Sequence, residues 1–275
     1  MVEPPPKPSE TRLAALWLKA RVNGWAHAPD NAELNESLRR LGRWRARLLA
    51  NTYVARQGAT VFQGPFAGMA YVDHAAEGSL IARLLGAYES ELHPYLQAFA
   101  QGGLDCVIDV GCAEGYYAVG LARMMPGIVV YAHDIEEEAR AACAELAAIN
   151  GVSDRVIVGG EFASDGFEAF AGRRVLVIVD AEGAEVDILK PALSPALAGM
   201  NLIVETHDLY RPGALATLVE RFSPTHDVVR VDQQPKTYAL PDWLRELPHL
   251  DQLLAVWEWR AQPTPWLVMT PKPQG

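Results

Sequence analysis

The stretch CVIDVGCAEGYYAVGLARMM, residues 106–125, decides the fold. Apolar and β-favouring residues run up to Asp109, Gly111 and Gly115 mark a tight turn, and Tyr117, Val119, Gly120, Leu121 and Met124 recur at helical spacing. Strand, turn and helix in that order build the place in an open α/β sheet where a ligand meets a strand's carboxyl end and a helix's free N–H groups. Gly111 and Gly115 read as positions where a side chain would hold ligand and backbone apart. The spacing Asp109-x-Gly111-x-x-x-Gly115 is not the G-x-G-x-x-G of a dinucleotide-binding turn.

A carboxylate at that strand's end, with no pyrophosphate turn behind it, suits a ligand that carries an amino group and a positive charge. S-adenosylmethionine (SAM) is such a ligand, and its binding set would begin with Asp109, Gly111, Cys112, Ala113 and Gly115. IVVYAHD, 128–134, reads as a second strand whose closing Asp134 can accept from both ribose hydroxyls of an adenosine-containing molecule. Glu161 and Phe162 follow a third strand, RVIVGG, 155–160; they would flank the adenine, with Phe162 or Ile135 against its ring. An acid at 134 also suits NAD, but the sequence has no Tyr-x-x-x-Lys reductase pair.

Beyond the third strand the pattern keeps alternating, as a parallel sheet requires. RRVLVIVD, 173–180, is an uninterrupted apolar run of the kind buried on both faces, and NLIVETHD, 201–208, is the next strand. A helix near 213–222, a strand at HDVVRV and a last apolar segment, WLVMT, finish the sheet. The segment VDAEGAEVDILKP, 179–191, resembles the D-x-E-G-x-E-x-x-x-L motif of FkbM-like methyltransferases through Asp180, Glu182, Gly183, Glu185 and Leu189. IVETH, 203–207, resembles the same family's Glu-x-His strand ending through Glu205 and His207, and 106–125 looks like the first motif of class I SAM-dependent methyltransferases. Ile178 stands where the family often has lysine, and Pro191 where it commonly has glycine.

The resemblance spans about residues 105–210 and implies a Rossmann-like class I methyltransferase sheet, mostly parallel, of seven strands with helices on both faces. It implies SAM as methyl donor and a hydroxyl of a small molecule or sugar-containing metabolite as acceptor. No Asn-Pro-Pro-Tyr sequence follows the fourth strand, which favours oxygen over exocyclic nitrogen. An N-methyltransferase of a small amine or peptide, and a SAM-binding interaction protein without turnover, are the alternatives. An alcohol is a poor nucleophile until its proton leaves, so a base or a divalent metal is needed. His207 is the expected general base, with Asp180 orienting it or holding substrate and Glu205 beside them; a core histidine is the plainer reading of His207. Asp180, Glu205 and His207 are also the candidate ligands of a magnesium or other divalent ion, as in some sugar methyltransferases that this arrangement resembles. Tyr116, Tyr117 and Glu89 are further pocket candidates.

Composition narrows the setting. With 275 residues, half of them hydrophobic, the chain has room for one large core and an appendage. A formal net charge of -10 argues against a nucleic-acid partner held by phosphates. No apolar run reaches the roughly 18 residues of a membrane span and MVEPPPKPSE is no signal peptide, so a cytoplasmic protein with no membrane partner is expected. Cys106, Cys112 and Cys143 make no C-x-x-C pair and read as buried reduced thiols, with Cys112 nearest the ligand turn.

Residues 1–100 read as a helical extension capping the domain formed by 101–275. A proline-rich tail over 1–8 leads into an amphipathic helix through Leu13, Leu16, Trp17 and Ala20. A second helix is capped by Asp30 and Glu33, and Leu34, Leu38, Leu41, Trp44 and Leu48 trace its expected buried face. Its other side carries Arg39, Arg40, Arg43 and Arg47, either a solvated face or a seat for an anionic substrate or partner. Residues 61–72 read as a loop or hairpin, and helical spacing resumes over 79–88. A Pro/Trp-rich insertion, 232–263, precedes the last strand; its tryptophans are expected to pack on the N-terminal helices, or to form a homo-oligomer or glycan surface.

Overall fold

A computed structural model describes residues 9–72, 78–236, 239–260 and 262–273. The tail expected over 1–8 and positions 237, 238 and 261 of the insertion lie outside the described residues.

The apolar runs form one seven-stranded sheet: β1 (Cys106–Val110), β2 (Val129–His133), β3 (Val156–Gly159), β4 (Val175–Val179), β5 (Asn201–Glu205), β6 (His226–Val231) and β7 (Trp266–Pro271). Their spatial order is β3-β2-β1-β4-β5-β7-β6. Only β7 runs against its neighbours, antiparallel to both β5 and β6. This is the Rossmann-like methyltransferase sheet that the motifs imply. Strand order reverses between β1 and β4, so the turns that follow these two strands border the crevice where open α/β sheets take their ligands.

Alternation along the central strands divides the interior in two. Val107, Leu176, Ile178 and Ile203 join one core; Cys106, Ile108, Val177 and Val204 join the other. The first core also takes Leu49, Tyr53, Phe66, Leu84 and Leu96 from the N-terminal extension, which thereby shares one apolar interior with that face of the sheet. Phe167, Leu197, Leu218 and Phe222 fill the second.

Ser9 accepts from the Arg12 amide at the start of α1 (Glu10–Gly24), and Asp30 and Glu33 make the expected capping box on α2 (Asn31–Gln57). The buried side of α2 is not the leucine row. Leu34 and Leu38 are 49% and 68% exposed, whereas Gly42, Ala46, Leu49 and Tyr53 are buried. Small residues explain the rotation: a Cβ on Gly42 would stand 2.9 Å from the Trp257 ring, so glycine there lets the insertion lie directly on the helix backbone. Arg45 of α2 donates twice to Asp251, both at 2.7 Å, fixing α10 (His249–Ala255) beside it.

The helical spacing over 79–88 yields only α3 (Leu80–Leu84). Gly86, at φ 66, breaks the helix because its Cα faces the Gln63 backbone with no room for a side chain. The 61–72 segment folds back through a Thr60–Ala70 bridge, and Phe66 lies on Gly120 of α5 (Tyr116–Met124). Ahead of β1, α4 (His93–Gln101) leads into the sheet, and α6 (Glu137–Ile149) connects β2 to β3. After β4 come α7 (Glu185–Ile188), α8 (Ala214–Phe222) and α9 (Asp242–Arg245). Among the described residues no helix is long and apolar enough to cross a membrane.

Gly111 links the two halves of the sheet. It adopts φ 82, and a Cβ would overlap the Asp180 carbonyl oxygen. Gly111→Ala is expected to lower the unfolding free energy by about 2–3 kcal/mol, read from a denaturant midpoint; an unchanged midpoint would contradict this packing.

Candidate active site

The turn after β1 is tied to the end of β2. Gly111 and Cys112 N–H groups both donate to the His133 carbonyl, at 2.8 and 3.0 Å. Asp134 then reaches back: Oδ2 accepts from the Ala113 amide and Oδ1 from the Glu136 amide, each at 2.9 Å. Each carboxylate oxygen keeps a second lone pair for a ligand hydroxyl. The glycines serve the protein's own contacts more directly than expected. Gly111 abuts Asp180, and a Cβ on Gly115 (φ 92) would stand 2.7 Å from Cys143 Sγ.

Asp109 is 2% exposed, and burial raises its pKa to about 7 against the opposing Ala118 amide; one of its oxygens has no partner among the described residues. Cys112 is buried, its pKa raised first by its bond with Cys143 and then by burial, so it stays a thiol. Phe162 sits edge-on to His133, with centroids 4.9 Å apart, while Glu161 and Ile135 are exposed. Three carboxylates at the ends of β1, β2 and β4 would repel a pyrophosphate and attract a cation, and a buried oxygen without a partner marks unmet demand for a donor. These residues fit SAM.

A cavity of about 390 Å³ opens at the tips of β4 and β5, lined by Asp180, Glu182, Glu205 and His207. Arg43 of α2, Tyr88 of the extension, and Trp259 and Arg260 of the insertion complete much of its wall. His207 is its best-defined element. Nδ1 lies 2.7 Å from Glu185 Oε1, and that oxygen also accepts from the Gly183 amide at 3.0 Å. Burial opposes ionisation of Glu185, but the His207 bond and the Gly183 amide outweigh it and hold its pKa low. An ionised Glu185 makes Nδ1 the protonated nitrogen, leaving the Nε2 lone pair free. Nε2 stands 3.6 Å from Asp180, 3.6 Å from Glu182 and 3.5 Å from Glu205. Burial alone would lower the His207 pKa; the bond to Glu185 and the charge of Glu205 raise it instead, making a stronger base.

Asp180 and Glu205 share their surroundings less comfortably. Burial, then the neighbouring Glu205 charge, pushes the Asp180 pKa well up. One Asp180 oxygen has no partner among the described residues, and donor atoms of Asp180, Glu205 and His207 lie within 4.8 Å of one another. Two hard oxygens and an imidazole fit a divalent cation, and a proton shared by the two acids would fill the same role of charge relief.

Sequence reasoning missed three parts of this site. The group that orients His207 is Glu185, which the D-x-E-G-x-E motif contains without marking that role. Arg260 and Glu258 come from the insertion, and no local pattern announced them. Arg260 bonds Glu89, Glu205 and Thr264, and lies 3.1 Å from Glu258. Tyr117 donates to Glu89, whose pKa burial raises to about 7 against the pull of Arg260. Tyr116 packs in the aromatic group with Phe66, Tyr88 and Tyr117. Backbone strain marks the same region. Among the described residues the non-glycine positions with positive φ are Glu89, Ala113, Glu182 and Trp259, all in the ligand turn, on the cavity wall or bonded to Arg260. Arg260→Ala strips buried carboxylates of their cation and is expected to cost about 3–5 kcal/mol of stability in a denaturant titration; a loss no greater than an exposed pair's would contradict the clamp.

No protein-family model matches this sequence, and no curated protein matches it. Among solved structures, the chain is similar to an O-methyltransferase from Bacillus cereus in complex with SAH at 13% identity, covering 98% of this chain and 93% of that one, with a TM-score of 0.42. It is similar to the O-methyltransferase TomG from Streptomyces achromogenes in complex with SAM at 17% identity, 65% and 80% coverage and a TM-score of 0.41. An rRNA methylase from Streptococcus thermophilus gives 16% identity, 68% and 99% coverage and 0.44. These likenesses go no further than the fold and assign no acceptor. The chain's own sheet order, with β7 antiparallel between β5 and β6, is that of the SAM-dependent methyltransferase fold.

Proposed function

We propose that this protein is an FkbM-like SAM-dependent O-methyltransferase that methylates a hydroxyl of a small molecule or sugar-containing metabolite. The observation that carries the reading is His207, whose Nδ1 is bonded to Glu185 while Nε2 faces the carboxylates of the cavity. In this reading residues 101–275 form the methyltransferase domain, and the extension over 1–100 and the insertion over 232–263 wall its acceptor side.

When bound, SAM supplies an activated methyl group on a positively charged sulfur. Asp134 would accept from its ribose, Phe162 or Ile135 would lie against its adenine with Glu161 near the amino group, and the turn from Asp109 through Gly111, Cys112, Ala113 and Gly115 would hold its amino-acid end. The rest of the work falls to the chain. Its cavity aligns the acceptor oxygen with the methyl carbon and excludes water, which converts a bimolecular encounter into a near-attack arrangement. His207 takes the acceptor's hydroxyl proton at Nε2. Glu185 holds the imidazole in the tautomer able to do so and stabilises the imidazolium that results. Arg260 fixes Glu205, so that the acid beside Nε2 keeps its position during transfer.

The close approach of Asp180, Glu205 and His207 favours a second reading of the same centre. A divalent cation held by these three would lower the pKa of the acceptor hydroxyl directly, and His207 would then be a ligand and no longer the base. Chelation separates the two. Activity that survives chelator supports the base; activity lost to chelator and restored by Mg²⁺ supports the metal.

Isothermal titration is expected to give micromolar SAM affinity and no NADH binding; the reverse result would end the SAM reading. With an acceptor in hand, His207→Ala is expected to lower kcat by about 10²–10⁴-fold at unchanged SAM affinity, and Glu185→Gln by less. Full turnover by His207→Ala would remove the base assignment.

A further inference from the structure

Among the described residues Arg43 stands out from the other cations of this site, for no carboxylate is matched to it. Arg260 meets Glu89, Glu205 and Glu258, and Lys236 meets Glu91 and Glu258. Arg45, two residues along the same helix, is paired at both ends with Asp251. Among the described residues Arg43 has no carboxylate within ion-pair distance, although it lines the cavity together with Trp259 and Arg260. Its guanidinium is held in place all the same. It stacks over the Trp259 ring at 5.5 Å, and one terminal nitrogen donates a long bond, 3.4 Å, to the Trp259 carbonyl. Its Nε is buried with no partner among the described residues.

A guanidinium that is positioned, partly desolvated and left with unused donors is a receptor for a planar or tetrahedral oxyanion. The surrounding charge points the same way. Burial lowers the Arg43 pKa, and the positive charges of Arg39, Arg47 and Arg40 lower it further, so an arriving anion would relieve repulsion within the helix. The remaining charged lining consists of Asp180, Glu182, Glu205, Glu258, His207 and the fully engaged Arg260. Glu182 and Glu205, both beside His207 Nε2, would repel an anion from the methyl-transfer end, so charge orients a molecule carrying one.

We propose that the acceptor bears an anionic group, a carboxylate or a phosphate, which Arg43 binds while the hydroxyl to be methylated lies at His207. The inference rests on the methyltransferase reading and names its substrate class. A cavity of about 390 Å³ suits a small hydroxy acid or a phosphorylated polyol. A nucleic-acid backbone is disfavoured by the net charge of -10 and by the position of Arg43 inside a cavity.

The test titrates the wild-type protein, saturated with S-adenosylhomocysteine, with glycerol 3-phosphate, glycerate and glycerol. At least one of the two anions is expected to bind about tenfold or more tightly than glycerol, and whichever does so identifies phosphate or carboxylate as the preferred group. Arg43→Gln is expected to lose that preference with S-adenosylhomocysteine affinity and circular dichroism intact, and Arg43→Lys to recover part of it. Equal binding of the three probes, no detectable binding of either anion, or an anion preference that persists in Arg43→Gln would overturn the proposal. So would Arg43-dependent binding of a single-stranded RNA oligomer by a protein that takes neither small anion. Failure of the wild type to bind S-adenosylhomocysteine would count against the methyltransferase reading itself, whereas binding without anion preference counts against Arg43 alone.

Discussion

Arg260 carries its charge into a nearly closed space, 13% exposed, where three carboxylates from separate parts of the chain meet it. Glu89 comes from the N-terminal extension, Glu205 from the end of β5 and Glu258 from the insertion. Taking one guanidinium and three acids out of water is costly, and the arrangement holds only because each charge keeps close partners. Burial opposes the charge on Arg260, but Glu89 and Glu205 outweigh it and keep the guanidinium protonated. The Glu89 amide donates to Glu258 at 2.8 Å, and Lys236 lies 2.6 Å from the same side chain, so the clamp is closed from both sides. The Arg45–Asp251 and Lys236–Glu91 pairs also tie the extension to the insertion, but Arg260 is the cation that joins both of them to Glu205 at the tip of β5.

The clamp turns a common sheet into a particular site. Parallel strands β1, β4 and β5 deliver Asp109, Asp180 and Glu205 to one edge, which makes that edge acidic and suited to a sulfonium. The extension brings Arg43 of α2 to the wall of the same opening. Between them His207 is fixed by Glu185, a carboxylate with no exposed side-chain surface, so the imidazole's free nitrogen is set before any substrate arrives. Strained backbone at Glu182 and Trp259 presents the lining residues at angles a relaxed turn would not give.

The sheet was legible because its signals are local. Asp109 through Gly115 and the unbroken VLVIV of β4 each depend on a few consecutive residues. Asp134, Asp180 and Glu205 could be placed at strand ends by counting. What sequence could not deliver were choices made by distant partners. Asp180 and Glu185 are both acids near His207, and only the turn through Glu182 and Gly183 decides that Glu185 takes Nδ1. Arg260 is 55 positions from Glu205 and 171 from Glu89, beyond any periodicity. The leucine row of α2 misled for a related reason: Gly42 permits a closer approach by Trp257 than a leucine could, and the face it shares with Ala46, Leu49 and Tyr53 is the buried one.

A crystal structure of the complex with S-adenosylhomocysteine would show whether the crevice between β1 and β4 aims a methyl donor at His207. The ribose hydroxyls are expected on Asp134, the adenine beside Phe162, and the sulfur directed to the space between Asp180 and His207 Nε2, with Glu185 still on Nδ1. A complex with the sulfur turned away from the β4 and β5 tips, or with the ligand seated outside the turn at Gly111, would contradict this arrangement.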